Sequence, residues 1–186
     1  MRQLLKQALR MLTETKKDEN KTYDYGCCMA YLTVPKESWD SIQNEIDDKD
    51  VMTDEGLGRE NFDSAHCTLL YGIHDDVPDK DVEDIINTLE APEVKFDKIS
   101  MFDNPAFDVL KFEVSGKGLN EANKKFSELP NTNEYPNYEP HVTIAYLKKG
   151  AGEKYCKKLD KPFTVKADKI VYSKPDGSKK EYKFKK

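Results

Sequence analysis

Ser64-Ala65-His66-Cys67-Thr68-Leu69-Leu70-Tyr71 returns later in the chain as Glu139-Pro140-His141-Val142-Thr143-Ile144-Ala145-Tyr146, and the reading of the whole sequence starts from this pair. Each copy is His-x-Thr followed by an apolar run that ends in Tyr. Successive side chains of an extended strand point to opposite faces. His66 and Thr68 therefore share one face, with Cys67, Leu69 and Tyr71 on the other. The second copy sorts His141 and Thr143 from Val142, Ile144 and Tyr146 in the same way. Brought side by side, two such strands aim two imidazoles and two hydroxyls into one cleft. The strict alternation predicts that Tyr71 and Tyr146 pack on the far face, under helices.

Those four side chains are a set that phosphodiester chemistry uses. Cleavage needs a base for the attacking oxygen, an acid for the departing one, and donors for the remaining phosphate oxygens. With an unperturbed pKa of roughly 6.5, one imidazole can be neutral and the other protonated near neutral pH. Threonine hydroxyls serve as neutral hydrogen-bond donors. This arrangement requires no metal and no cofactor. His74, the third histidine, sits in a loop by this reading and has no ligand spacing to the other two.

At these residues the chain resembles the two-histidine (2H) phosphoesterase superfamily, which includes the LigT-like 2′-5′ RNA ligase and cyclic-phosphodiesterase proteins. His66, Thr68, His141 and Thr143 match its two motifs residue for residue. The resemblance implies an α+β fold, bilobed and pseudo-two-fold, with two antiparallel sheets around a central cleft and helices outside. It also implies catalysis by one histidine as general base and the other as general acid, the near-symmetric motifs leaving open which is which. A short or cyclic nucleotide is the implied substrate. Phage anti-CBASS enzymes, which destroy cyclic oligonucleotide signals in the host cytoplasm, are the member type the compact chain looks most like. RNA 2′,3′-cyclic phosphate processing or 2′-5′ ligation is the enzymatic alternative, and a nucleotide-binding sponge the non-enzymatic one. Tyr31 on the first strand and Tyr138 in the loop before His141 are the candidate nucleobase platforms.

The totals narrow the classes. With 186 residues, 37% of them apolar, the chain suits one compact domain or two small lobes sharing a cleft, expected as a monomer. No apolar run is long enough to span a bilayer, and residues 1–12 lack the continuous apolar stretch of a secretory signal. Cys27, Cys28, Cys67 and Cys156 show neither Cys-x-x-Cys pairing nor metal spacing, so they are read as reduced thiols of a cytoplasmic protein, Cys67 as a buried strand residue. A net charge of −5 argues against wrapping long duplex nucleic acid. The basic stretch 161–186 faces acidic stretches at 47–63 and 75–84, an asymmetry able to focus an anionic ligand.

In chain order, Leu4, Leu5, Ala8, Leu9 and Leu12 predict an amphipathic helix, and residues 1–22 are read as that helix plus a polar linker ahead of a domain over 23–186. Strands are expected over 26–34, 94–99, 109–114, 163–172 and 180–184, besides the two motif strands. Helices are expected over 36–46, 79–89, 118–129 and 150–159. The acidic loop 47–63 is a candidate rim or lid over the site. Val94-Lys95-Phe96-Asp97-Lys98-Ile99 and Val165-Lys166-Ala167-Asp168-Lys169-Ile170 are nearly the same words, which points to a duplicated lobe.

Overall fold

The computed structural model describes residues 22–53, 56–133, 135 and 137–185. The amphipathic N-terminal helix expected over the first residues lies outside the described residues. Eight strands form one antiparallel sheet: β1 (Tyr25–Tyr31), β2 (His66–His74), β3 (Glu93–Asp103), β4 (Phe107–Ser115), β5 (His141–Lys148), β6 (Lys157–Lys166), β7 (Lys169–Ser173) and β8 (Lys179–Tyr182). Their order is β6-β3-β4-β5-β2-β1-β7-β8. Among the described residues three α-helices accompany them: α1 (Lys36–Glu45), α2 (Asp79–Ile86) and α3 (Leu119–Phe126).

Each helix forms where an apolar stripe follows a residue suited to a helix start. Pro35 and Pro78 stand at the N-caps of α1 and α2, with Glu37, Asp79 and Asp81 in their first turns. Trp39 and Ile42 of α1, Val82 and Ile86 of α2, and Leu119, Ala122 and Phe126 of α3 are buried. They share one apolar core with Leu110, Phe112, Val142, Ile144, Cys67 and Leu69 of the sheet. Helices and core thus lie on one face of the strands, and the His-Thr face is left to the cleft. That burial is the main stabilising term of the fold.

The duplication is interleaved. β3, which closes the first repeat, pairs with β4 of the second, and β7, which closes the second, pairs with β1 of the first. The sheet therefore reads symmetrically outward from its centre, where β2 and β5 meet at a single pair, Cys67 with Val142. Beyond that pair each motif strand is covered by the loop that precedes the other motif. Val51 and Arg59 bridge to Leu147 and Ala145 of β5, while Asn131 bridges to Ile73 of β2. The acidic loop expected as a lid is fastened along the β5 edge by Met52 N–H to Tyr146 O and Glu60 N–H to Ile144 O. Its described part closes a strand edge.

Two expectations are corrected here. The strand expected over 163–172 is split at Ala167-Asp168, between β6 and β7. In a flat sheet those strands would stand six spacings apart, about 29 Å. Three Cα steps from Lys166 to Lys169 reach at most about 11 Å. The two halves of the sheet therefore fold toward each other, and the Ala167 and Asp168 amides donate to Pro92 and Tyr31 carbonyls from opposite halves. This closure makes the single sheet bilobed around a cleft. The helix expected over 150–159 is a single 3-10 turn (Glu153–Tyr155) followed by β6. Leu159, Phe163 and Val165 are the half-buried positions of β6, an even spacing that fits a strand and gives no helical stripe.

Candidate active site

The meeting of β2 and β5 fixes the site. Carrying the Cys67–Val142 register one residue each way sets His66 opposite Thr143 and Thr68 opposite His141. The two histidines are then diagonal neighbours, a relation that separates residues by about 7–8 Å, with Cβ atoms somewhat closer. Both imidazoles are held alike. His66 Nδ1 lies 2.7 Å from Ser64 O, and His141 Nδ1 lies 2.8 Å from Glu139 O, each the carbonyl two residues back. A carbonyl accepts only from N–H, so Nδ1 carries the proton in each ring and Nε2 is the nitrogen offered to a ligand.

Each histidine also has an aromatic neighbour. Tyr31, opposite His66 across β1–β2, stacks on it with centroids 5.5 Å apart and planes at 22°. Phe102 meets His141 edge-on at 4.8 Å and 90°. A lysine lies over each aromatic ring: Lys169 Nζ is 5.5 Å from the Tyr31 centroid and Lys111 Nζ 4.2 Å from that of Phe102. Lys179 Nζ adds a contact of 3.5 Å to the Tyr31 hydroxyl. Burial holds the His141 pKa below the ordinary histidine value, and the neighbouring positive charge of Lys111 and of His66 adds to this.

Tyr31, one of the two candidate platforms, thus lies on β1 against the His66 ring. Tyr138 does not offer a platform. Its hydroxyl donates to Thr68 O at 3.0 Å and lies 3.6 Å from Cys67 Sγ, and its ring packs against the core. Tyr138 braces the loop before β5 against β2. Tyr138→Phe is expected to lower stability by about 1 kcal/mol, read as a fall in the urea midpoint. Cys67 is fully buried, as expected, and burial pushes its thiol up to about 11. Cys27 stands against Thr68 with its thiol pushed up to about 12 by burial, so both are neutral thiols at neutral pH. His74 sits at the far end of β2, eight residues or roughly 26 Å from His66. There it stacks on Tyr23 at 3.8 Å and shares a 2.9 Å hydrogen bond with Thr132 Oγ1.

Two features of the site escaped sequence reasoning. Both motif strands carry a β-bulge at the same place: Leu69 is skipped between the pairs Cys28–Leu70 and Met29–Thr68, and Ile144 between Leu110–Ala145 and Lys111–Thr143. Each bulge carbonyl accepts from an amide side chain of the other repeat's helix, Leu69 O from Asn123 of α3 at 2.7 Å and Ile144 O from Gln43 of α1 at 3.0 Å. The extra residue returns Tyr71 and Tyr146 to the His-Thr face, which corrects the expectation that they pack under helices. Tyr146 meets Phe107 there at 5.8 Å, and Tyr71 meets Tyr25 at 6.0 Å. Lys111 is the second feature, a buried charge on β4 opposite Thr143.

No family model matches the sequence, and a search of curated proteins finds no match. Solved structures do resemble it. E. coli LigT complexed with 3′-AMP is 12% identical, with 88% of this chain and 97% of that chain covered and a TM-score of 0.55. Kluyveromyces marxianus Usb1 with uridine monophosphate is 10% identical over 87% of this chain and 99% of that one, again at a TM-score of 0.55. TT0787 of Thermus thermophilus is 15% identical over 86% of this chain and 95% of that one, at a TM-score of 0.52.

Proposed function

We propose that this chain, whose fold is that of the LigT-like two-histidine phosphoesterases, is a phosphodiesterase acting on short or cyclic nucleotides. The observation that carries the reading is the meeting of the two motif strands at the centre of the sheet, Cys67 against Val142, with each motif histidine ring held through Nδ1 by the carbonyl two residues back. One neutral Nε2 takes the proton of the attacking hydroxyl or water. The other, protonated, delivers a proton to the leaving oxygen as the P–O bond breaks. Thr68 and Thr143 hydroxyls donate to the non-bridging oxygens, where negative charge accumulates.

Substrate size follows from the walls. Tyr31 on one lobe and Phe102 on the other set an aromatic side chain beside each motif histidine, in keeping with a phosphate that carries a nucleoside on either side. Lys179 and Lys111 supply local positive charge in a chain whose net charge is −5, while Lys169 is paired with Glu181 at 2.7 Å. A cyclic di- or trinucleotide signal, of the kind destroyed by phage anti-defence phosphodiesterases, is the substrate we favour. Incubation with cyclic di- and trinucleotides, 2′-5′ oligonucleotides and RNA with 2′,3′-cyclic ends, in EDTA and followed by mass spectrometry, tests this. Product from the cyclic oligonucleotides supports it, product from RNA ends alone moves the protein to RNA end processing, and retention without product makes it a sponge. The pH–rate profile is expected to be bell-shaped. Its acidic limb falls where the base gains a proton and its alkaline limb where the acid loses one.

A further inference from the structure

The two half-sites differ at one position that the pseudo-symmetry makes comparable. Thr68 on β2 is paired with Met29 of β1, and Thr143 on β5 is paired with Lys111 of β4. Lys111 is only 4% exposed, and among the described residues it has no ion-pair partner. Its Nζ donates to Ser100 Oγ at 2.9 Å and lies over the Phe102 ring, whose edge contact is His141. Glu113, the acid two residues along β4 and opposite His141, is taken up by Lys98 at 3.2 Å. No carboxylate stands within ion-pairing distance of Lys111; Glu113 and Glu139 attract it from further off, and burial still pushes its pKa below the ordinary lysine value, so a position that keeps a lysine there needs another account than stability.

We infer that Lys111 is a positioning residue that gives proton transfer in the proposed phosphodiester reaction its direction, making His141 the base and His66 the acid. A lysine paired with Thr143 on one side and a methionine paired with Thr68 on the other break the symmetry of the motifs. Burial disfavours protonation of His141 and the Lys111 charge adds to it, so His141 enters the reaction neutral and able to accept. His66, with Met29 in the matching place, enters as the donor. The groups that face His141 act in both senses. Glu139 in its own loop and Glu113 across β4–β5 favour the imidazolium, Lys111 and His66 oppose it, and Lys98 offsets Glu113. Ser100 and Phe102 of β3 are neutral, while Cys156 lies near Lys111 with its thiol pushed up by burial. Low dielectric around the buried lysine strengthens its share.

The inference rests on the proposed function, but its test does not. Histidine ring resonances of the substrate-free protein are titrated by NMR. In Lys111→Met the His141 midpoint is expected to move up by about half a pH unit or more, with His66 changed less. Lys111→Arg, which keeps the charge, should leave it in place. Met29→Lys is the reciprocal variant, folding independently of the first, and is expected to lower the His66 midpoint. A His141 midpoint that stays or falls in Lys111→Met, an equal shift at both rings, or an unmoved His66 in Met29→Lys overturns the inference. With a cleaved substrate in hand, the acidic limb of kcat/KM must move up with the His141 midpoint, and a limb that stays in place overturns the assignment of His141 as base. If no substrate is turned over while the midpoints shift as stated, the phosphodiesterase reading fails and the electrostatic role of Lys111 stands.

Discussion

Replacing either His66 or His141 by alanine is expected to lower kcat on the cleaved nucleotide by at least about a hundredfold, and replacing both to cost little more than replacing one. Base and acid act on the same phosphorus, so removing one already removes the concerted path. The second loss then has little left to remove. KM should change less than kcat, because the Nε2 atoms meet the charge that develops during reaction more than the resting substrate. Folding is not at issue in these variants. Both rings stand at the cleft surface, each tied through Nδ1 to one carbonyl, so truncation should cost about 1 kcal/mol in urea unfolding. Thr68→Val and Thr143→Val make the matching test of the hydroxyls, with kcat falling and the bulged strands kept by a β-branched isostere. Full turnover by either single histidine variant on a substrate that the parent cleaves would remove the site.

The four motif residues were legible because a strand of period two needs nothing but neighbouring letters to sort its faces. What followed the motifs was not. Leu69-Leu70 and Ile144-Ala145 are apolar doublets where alternation wants one polar member, and the bulges lie there. The doublets were visible, but a continuous buried strand explains them equally well until the pairing partners are known. Tyr71 and Tyr146 were misplaced by that one residue. The split of 163–172 was hidden for a different reason: Phe163, Val165, Ile170 and Tyr172 favour strand on both sides of Ala167-Asp168, and only the closure of the two half-sheets decides that the chain changes partner there. Lys111 lay in plain view between Leu110 and Phe112. A lysine on a strand is ordinarily a solvated one, and its burial arises from Phe102 and Ser100, which stand nine and eleven residues back on β3.

Phe112→Ala is expected to be the most damaging single change to stability among the sheet residues discussed, about 3–5 kcal/mol out of a total that for such a domain is about 5–15 kcal/mol. Phe112 is fully buried on the helix side of β4. Its ring meets Phe96 of β3 edge-on at 5.2 Å, Phe163 of β6 at 6.3 Å and Trp39 of α1 at 6.2 Å. It thus joins an edge strand, the sheet and a helix at one point, and these rings cannot all close on the space it leaves. The consequence reaches the chemistry through the backbone. Phe112 pairs with Val142, the residue whose other neighbour is Cys67 at the one ladder pair between β2 and β5. A cavity behind that pair loosens the register that sets each histidine opposite a threonine, so kcat should fall in Phe112→Ala well before unfolding sets in. Phe112→Leu, which fills most of the volume, should recover much of both losses. Urea unfolding with an unchanged slope reads the first effect, and kcat at low urea the second. A midpoint that hardly moves would mean that the halves are held together elsewhere.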